Sequence, residues 1–189
     1  MIKGKKVIIR QLELGDEEYF HKWWNDELMM EHSGNAFGTL QSKDSIRKCI
    51  VDQIEDCSMF PESKRFIILR KDDLVPIGEI NYMNWDARNQ KAEIGIKICY
   101  IKEQEKGYGY DALYYFIDFL FKFLNLNKIE LTTMIDNIKA QGLYKRLGFK
   151  EVGIIREAYF DSRIGIFSSV VFMDLLKSDW KEIKSSSII

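Results

Sequence analysis

The chain has 189 residues, 46% of them hydrophobic, which is enough for one substantial core and short for two, so a single domain over 1-189 is expected. Its 28 basic and 29 acidic residues nearly cancel, which excludes charge-driven binding to nucleic acid. Cys49, Cys57 and Cys99 are odd in number and lack C-x-x-C spacing, and His21 and His32 join no ligand pattern, so neither a disulfide framework nor a metal site is expected. The greasy stretch Tyr108 to Leu124 is interrupted by Asp111, Asp118 and Lys122, and the first apolar run is too short for a signal sequence. A soluble, cytoplasmic protein with no membrane segment is the expectation.

In chain order, Val7 to Gln11 alternates as a strand, and Asp16 is placed to cap a helix carrying Tyr19, Phe20, Trp23 and Trp24 at helical spacing. Ser42 caps a second helix to Glu55, with Ile46, Cys49, Ile50 and Ile54 on one face. Arg65 to Arg70, Ile77 to Trp85 and Lys91 to Tyr100 read as three strands joined by polar turns. A glycine loop follows, then a helix whose polar residues Asp111, Asp118 and Lys122 form one narrow stripe, so it must be covered nearly all round. A strand over Lys128 to Ile135, a short helix ending at Gly148 and two further strands complete the order β-α-α-β-β-β-α-β-α-β-β, an α/β (α+β) chain, with 184–189 expected to fray.

The glycine loop, Gln104-Glu105-Lys106-Gly107-Tyr108-Gly109, lies between a strand and a helix, where unpaired backbone N–H groups and the positive helix end favour bound phosphate. A Walker loop is excluded because no Lys-Ser or Lys-Thr follows the second glycine. Gly107 to Ala112 does fit G-x-G-x-x-A, and Glu130 stands near the distance of a ribose-binding acid, so a Rossmann-type dinucleotide binder is an alternative. Against it, five charged or polar residues separate strand from glycines, and the flanks lack alternating strand and helix units.

The pattern Q-x-x-G-x-G resembles the acetyl-CoA pyrophosphate loop of the GNAT superfamily of N-acetyltransferases. Asn137, Ala140 and Tyr144, leading into Gly148-Phe149, are similar to the other signature of that family. Physically this second segment is an amphipathic helix capped by Asp136 or Asn137, and a Tyr on its apolar face is equally readable as core. The resemblance spans nearly the whole chain, from Val7-Ile8-Ile9-Arg10 and Trp23-Trp24-Asn25-Asp26 through Pro76 to Ile80 and Ala92 to Ile96 to the segment closing at Trp180. It is nearest to the subgroup containing ribosomal-protein N-terminal and spermidine acetyltransferases. One departure is Asp161-Ser162-Arg163-Ile164-Gly165, where the subgroup has an Asp-Gly turn.

The resemblance implies a GNAT fold with a mixed central sheet of about six to seven strands flanked by helices. It also implies that the strand before the loop runs parallel to Lys128–Ile135 and then splays, and that the pantetheine arm of acetyl-CoA fills the gap. On that basis Ile96, Ile98, Gln104, Glu105, Lys106, Gly107, Tyr108, Gly109, Asn137, Lys139, Ala140 and Tyr144 are the expected cofactor-binding residues. An alkylammonium with a pKa of ~10 must lose a proton before attacking the thioester, which calls for a carboxylate base: Glu93 first, Glu79 second, each readable also as a solvated or ion-paired strand residue. Tyr144 is the expected general acid for the departing thiolate, and backbone donors near Ile96 to Cys99 the expected oxyanion contacts. Cys99 reads as a buried strand thiol rather than a nucleophile.

The first two helices frame the acceptor in this fold. Trp24, Glu27 and Glu31, among other aromatic, acidic and sulfur-bearing residues up to His32, suit a cation. The expected partner is a small-molecule amine, polyamine-like or an amino sugar, or a peptide N-terminus, with a homodimer as the assembly. A catalytically silent acetyl-CoA sensor or assembly module is the alternative from another functional class.

Overall fold

In the computed structural model the described residues are 1–31, 35, 37–161 and 165–186, the last three by backbone alone. His32, residues 162–164 of the loop that departs from the family pattern, and the end of the expected tail lie outside them. In chain order the elements are β1 (Ile2–Lys3), β2 (Val7–Gln11), α1 (Glu17–Trp24), α2 (Glu27–Met30), α3 (Lys43–Glu55), β3 (Lys64–Arg70), β4 (Pro76–Asp86) and β5 (Lys91–Ile98). After a 3-10 turn at Ile101–Glu103 come α4 (Tyr108–Phe123), β6 (Lys128–Met134), α5 (Ile138–Arg146), β7 (Lys150–Asp161), β8 (Ile166–Leu176) and α6 (Lys177–Ser186).

The eight strands described form one sheet in the order β1-β2-β3-β4-β5-β6-β8-β7. That is one strand more than the sequence pattern suggests, because β1 is a two-residue stub with no periodicity to read. Helices α2 and α6 are also additions. The helical backbone of α6 covers 184–186, part of the stretch expected to fray.

Every neighbouring pair in the sheet is antiparallel except β5 with β6, which is parallel. That pair runs only from Lys91↔Lys128 to Glu93↔Glu130. Beyond it β5 stays on β4 as far as Gly78↔Ile98, and β6 stays on β8 as far as Met134↔Val170, so the two strands splay while each keeps its outer partner. The Cys99 N–H donates to the Ile77 carbonyl at 2.8 Å. By antiparallel alternation, the backbone groups of Ile96 and Ile98 therefore face the gap.

Helices cover both faces. On one, Ala112, Leu113, Phe116, Ile117 and Leu120 of α4 are fully buried against Ile80, Ile129 and Met173. On the other, Phe20 and Trp23 of α1 and Ile46 and Ile50 of α3 enclose Ile67, Leu69 and Cys99. Of the apolar face expected on α3 only those two residues are buried, and Cys49 and Ile54 stand exposed.

Two local expectations need correction. Asp16 is the residue before α1 but makes no side-chain cap; it binds the Arg10 guanidinium at 2.8 and 2.9 Å and the Glu13 N–H at 2.8 Å. Asp111 is not part of a solvated stripe, being 8% exposed and fully hydrogen-bonded by the β1–β2 turn. The Rossmann alternative also falls. The sheet has one short parallel pair, and Glu130 is held between Lys91 at 3.1 Å and Lys128 at 2.5 Å rather than facing the glycine loop. Burial opposes the charge on Glu130, but the two lysines outweigh it and keep its pKa lowered.

Candidate active site

An open cleft of about 1310 Å³ runs across the splay. Its walls include Ile94 to Ile98 from β5, Thr132 and Thr133 from β6, the glycine loop, and Asn137, Lys139, Ala140, Leu143 and Tyr144 around α5. Leu28, Met29 and Glu31 also line it, in a segment whose Met30 sulfur lies against the Lys97 ammonium at 2.7 Å. Elements far apart in sequence thus bring the two glycine-rich and tyrosine-bearing signatures into one groove.

The glycine loop is built as an anion site. Gly107 takes φ +86°, a left-handed conformation that side chains other than glycine seldom adopt, and stands at the N-cap of α4 without a capping side chain. The first helical N–H with a backbone acceptor is that of Asp111, bonded to the Gly107 carbonyl at 3.0 Å, which leaves the N–H groups of Tyr108, Gly109 and Tyr110 without a partner among the described residues. Gln104 Nε2 ties the loop back to the Ile98 carbonyl at 3.1 Å. Unpaired donors here and across the splay match a diphosphate followed by an amide-bearing arm, so the residues present fit coenzyme A.

The side chains of the loop divide. Glu105 pairs with Lys139 at 2.5 Å, and that hydrogen bond lowers its pKa. Lys106 is paired with Glu103 at 3.2 Å and Tyr108 packs on the core; neither side chain lines the cleft. Glu103 is buried between Lys106 and Arg70; burial works against its charge, but both cations hold its pKa lowered.

In α5 the Asn137 side-chain Oδ1 accepts from the Ala140 N–H at 3.1 Å, so Asn137 is the cap. Gln141, which the sequence pattern does not single out, is buried and donates to the Met134 and Ile135 carbonyls at 3.3 and 2.9 Å, fixing the helix to the end of β6. That anchor sets Tyr144, 7% exposed, against Phe149 with ring centroids 5.8 Å apart. Its hydroxyl has no protein partner among the described residues, and burial pushes its pKa up to about 12.

Of the two carboxylates considered as base, Glu93 is partly exposed, near Thr132 Oγ1 at 3.5 Å and Asn84 Nδ2 at 3.3 Å. It does not itself line the cleft, and the space over Gly95, two residues on along the same face, is taken by the Asn81 side chain, whose Oδ1 would lie 2.7 Å from a Cβ there. Glu79 is different. It is 4% exposed, paired with Arg65, 3.8 Å from Lys97 Nζ, and accepts from Trp24 Nε1 at 2.9 Å. Both oxygens are engaged by cations or the indole N–H, which is the arrangement of a counter-ion.

The same cluster corrects the acceptor residues. Trp24 has Arg65 over its ring at 4.9 Å, so the face expected to meet a substrate cation is taken by a cation of the protein itself. Glu27 is exposed but away from the cleft, whereas Glu31 lines it. Cys99 is 2% exposed, and burial raises its thiol well above the ordinary range, which leaves it inert.

Residues 6–150 match the model of the GNAT acetyltransferase domain. The chain belongs to the GNAT family. Among curated GNAT relatives, spermidine N(1)-acetyltransferase of Vibrio cholerae is 30% identical over 94% of this chain and 96% of its own length. A putative ribosomal N-acetyltransferase of Bacillus subtilis is 34% identical over 55% of each chain. The crystal structure of the Vibrio cholerae spermidine N-acetyltransferase in complex with CoA and spermine superimposes with a TM-score of 0.82 at 27% identity, covering 93% of this chain and 98% of that one. This GNAT chain is accordingly an N-acetyltransferase using acetyl-CoA, and no described helix is long and apolar enough to cross a membrane.

Gly109 gives a clean test of the loop. A Cβ there meets Leu143 at 3.5 Å and Ile98 at 3.8 Å, ordinary contacts, whereas Gly107 is conformationally restricted. Gly109→Val is therefore expected to keep the thermal midpoint within a few degrees and to weaken acetyl-CoA binding by about tenfold or more in calorimetry. Unchanged affinity in the folded variant would place the diphosphate elsewhere.

Proposed function

We propose that this chain transfers the acetyl group of acetyl-CoA to a primary amine of a polyamine-like acceptor, by direct attack in a ternary complex. The observation that carries this reading is the buried Tyr144, which lines the cleft between splayed strands with its hydroxyl unpartnered among the described residues. Acetyl-CoA supplies the thioester carbonyl and a thiolate leaving group. The backbone of Ile96, Ile98 and Thr132 holds the pantetheine arm, and the loop N–H groups with Asn137, Lys139 and Ala140 at the head of α5 hold the phosphate end.

Glu93 draws the proton from the entering ammonium through water by way of Thr132, which lines the cleft and has its hydroxyl 3.5 Å from the carboxylate. Backbone N–H groups of β5 facing the gap steady the developing oxyanion. Tyr144 then protonates the thiolate; because burial favours the neutral phenol, it retains its proton throughout the neutral range. Inert Cys99 offers no acyl-enzyme route. Glu31 in the cleft lining attracts the cationic acceptor, and the spermidine acetyltransferase relatives support a polyamine over an amino sugar or a peptide N-terminus. The homodimer is retained as the assembly, over exposed Val152, Ile154, Tyr159, Phe160 and Phe167 on β7 and β8, with sedimentation as its check.

Thiol release from acetyl-CoA across a panel of spermidine, diamines, aminoglycosides, amino sugars and N-terminal peptides is expected to give its highest kcat/KM with spermidine. A peptide leading the panel would overturn the acceptor assignment. Tyr144→Phe should bind acetyl-CoA normally and turn over about 10²-fold more slowly, and Glu93→Gln should flatten the rise of rate with pH. Tyr144 is raised from 10.0 to about 12, so its buried neutral form contributes stability that is complete below pH 10.0 and lost as pH rises through about 12. The Phe variant should escape that alkaline loss. Wild-type turnover in Tyr144→Phe, measured where chemistry limits the rate, would remove the general-acid role.

A further inference from the structure

The β1–β2 turn, at the far end of the sequence from the glycine loop, is wrapped round one carboxylate. Asp111, in the first turn of α4, accepts from three consecutive backbone N–H groups, those of Lys5 at 3.2 Å, Lys6 at 2.7 Å and Val7 at 3.1 Å. Successive N–H groups turned onto one anion form a rigid nest, and a charged acceptor makes each bond stronger than a neutral one. Gly4 completes the turn, donating to the Val7 carbonyl at 2.8 Å, and a Cβ there would collide with the Asp111 carboxylate.

The consequence is the placement of Lys6. Its ammonium donates to the Lys106 carbonyl at 2.8 Å and stands 3.2 Å from where a Cβ on Gly107 would be, so it sits directly over the left-handed residue of the loop. Lys6 and Asp111 both line the cleft, yet Asp111 has its oxygens turned onto the backbone, leaving the Lys6 ammonium as the charge held over Gly107. A carbonyl is a weak partner for an ammonium, and a diphosphate arriving at the free N–H groups of Tyr108 to Tyr110 is a far stronger one.

We propose that Lys6 is a phosphate-binding residue for the diphosphate of the cofactor and that Asp111 is its positioning residue. Asp111 fixes the turn that carries Lys6, and Lys6 adds to the loop's backbone donors the charge that Lys106, diverted to Glu103, does not supply. The inference rests on the acetyl-CoA reading of the cleft.

The test compares wild type, Lys6→Met, Lys6→Arg and Asp111→Asn by calorimetric titration with acetyl-CoA at low and high salt, with thermal midpoints measured alongside. Lys6→Met is expected to keep the wild-type midpoint, to bind about tenfold more weakly at low salt, and to lose most of that difference at high salt. Lys6→Arg should restore the affinity. The ratio of kcat/KM for acetyl-CoA to that for S-acetylpantetheine, which lacks the diphosphate, should fall by a similar factor in Lys6→Met. Asp111→Asn, if folded, should show the same salt-dependent loss. Equal affinity and equal salt dependence in wild type and Lys6→Met would overturn this inference and leave the acetyl-CoA reading standing. Failure of the wild-type protein to bind acetyl-CoA would overturn both.

Discussion

The parallel ladder between β5 and β6 ends at Glu93↔Glu130, and the rest of the site depends on where it ends. Each strand retains an outer antiparallel neighbour, so the splay leaves unsatisfied backbone groups only along the gap. Both open strand ends lead into helices. From β5 the chain turns through the glycine loop into α4, and from β6 it turns through Asn137 into α5, so the free N–H groups of one helix and the phenol of the other converge on the same gap.

Buried charge separates architecture from chemistry in this cleft. Removing one member of a buried ion pair generally costs about 3–5 kcal/mol, which is far more than a catalytic network could tolerate in a group that must give and take protons freely. Glu79, enclosed by Arg65, Lys97 and the Trp24 indole, is of that kind and keeps the acceptor wall rigid. Glu93, with two long contacts to neutral side chains and partial exposure, has the freedom that Glu79 lacks. Tyr144 lies at the other extreme: no counter-charge or hydrogen-bond partner among the described residues, and a proton retained by burial.

What was legible in the sequence was what local pattern encodes. The helix stop at Gly148, a cap at Asp136 or Asn137, the Tyr helix and the strand order from Arg65 onward all follow from residue type and spacing within a dozen residues. What was not legible depends on partners remote in the chain. Asp111 meets Lys5 to Val7 across more than a hundred positions, and no periodicity announces it, although an acid in the first turn of an otherwise greasy helix was the available signal. Trp24 looked free to receive a cation because Arg65 and Glu79, its actual partners, lie on strands whose register the sequence does not specify. Gln141 was hidden for the same reason, its acceptors being the last carbonyls of β6.

The central claim is that the exposed main chain of the splay is the cofactor's binding surface. Amide hydrogen exchange resolved to single residues, with and without acetyl-CoA, tests it most directly. The account predicts that Ile96, Ile98 and Thr132, facing the gap, and Tyr108 to Tyr110, at the start of α4, become protected together on binding. Protection confined to other surfaces, with these amides exchanging as fast as in the free protein, would contradict it.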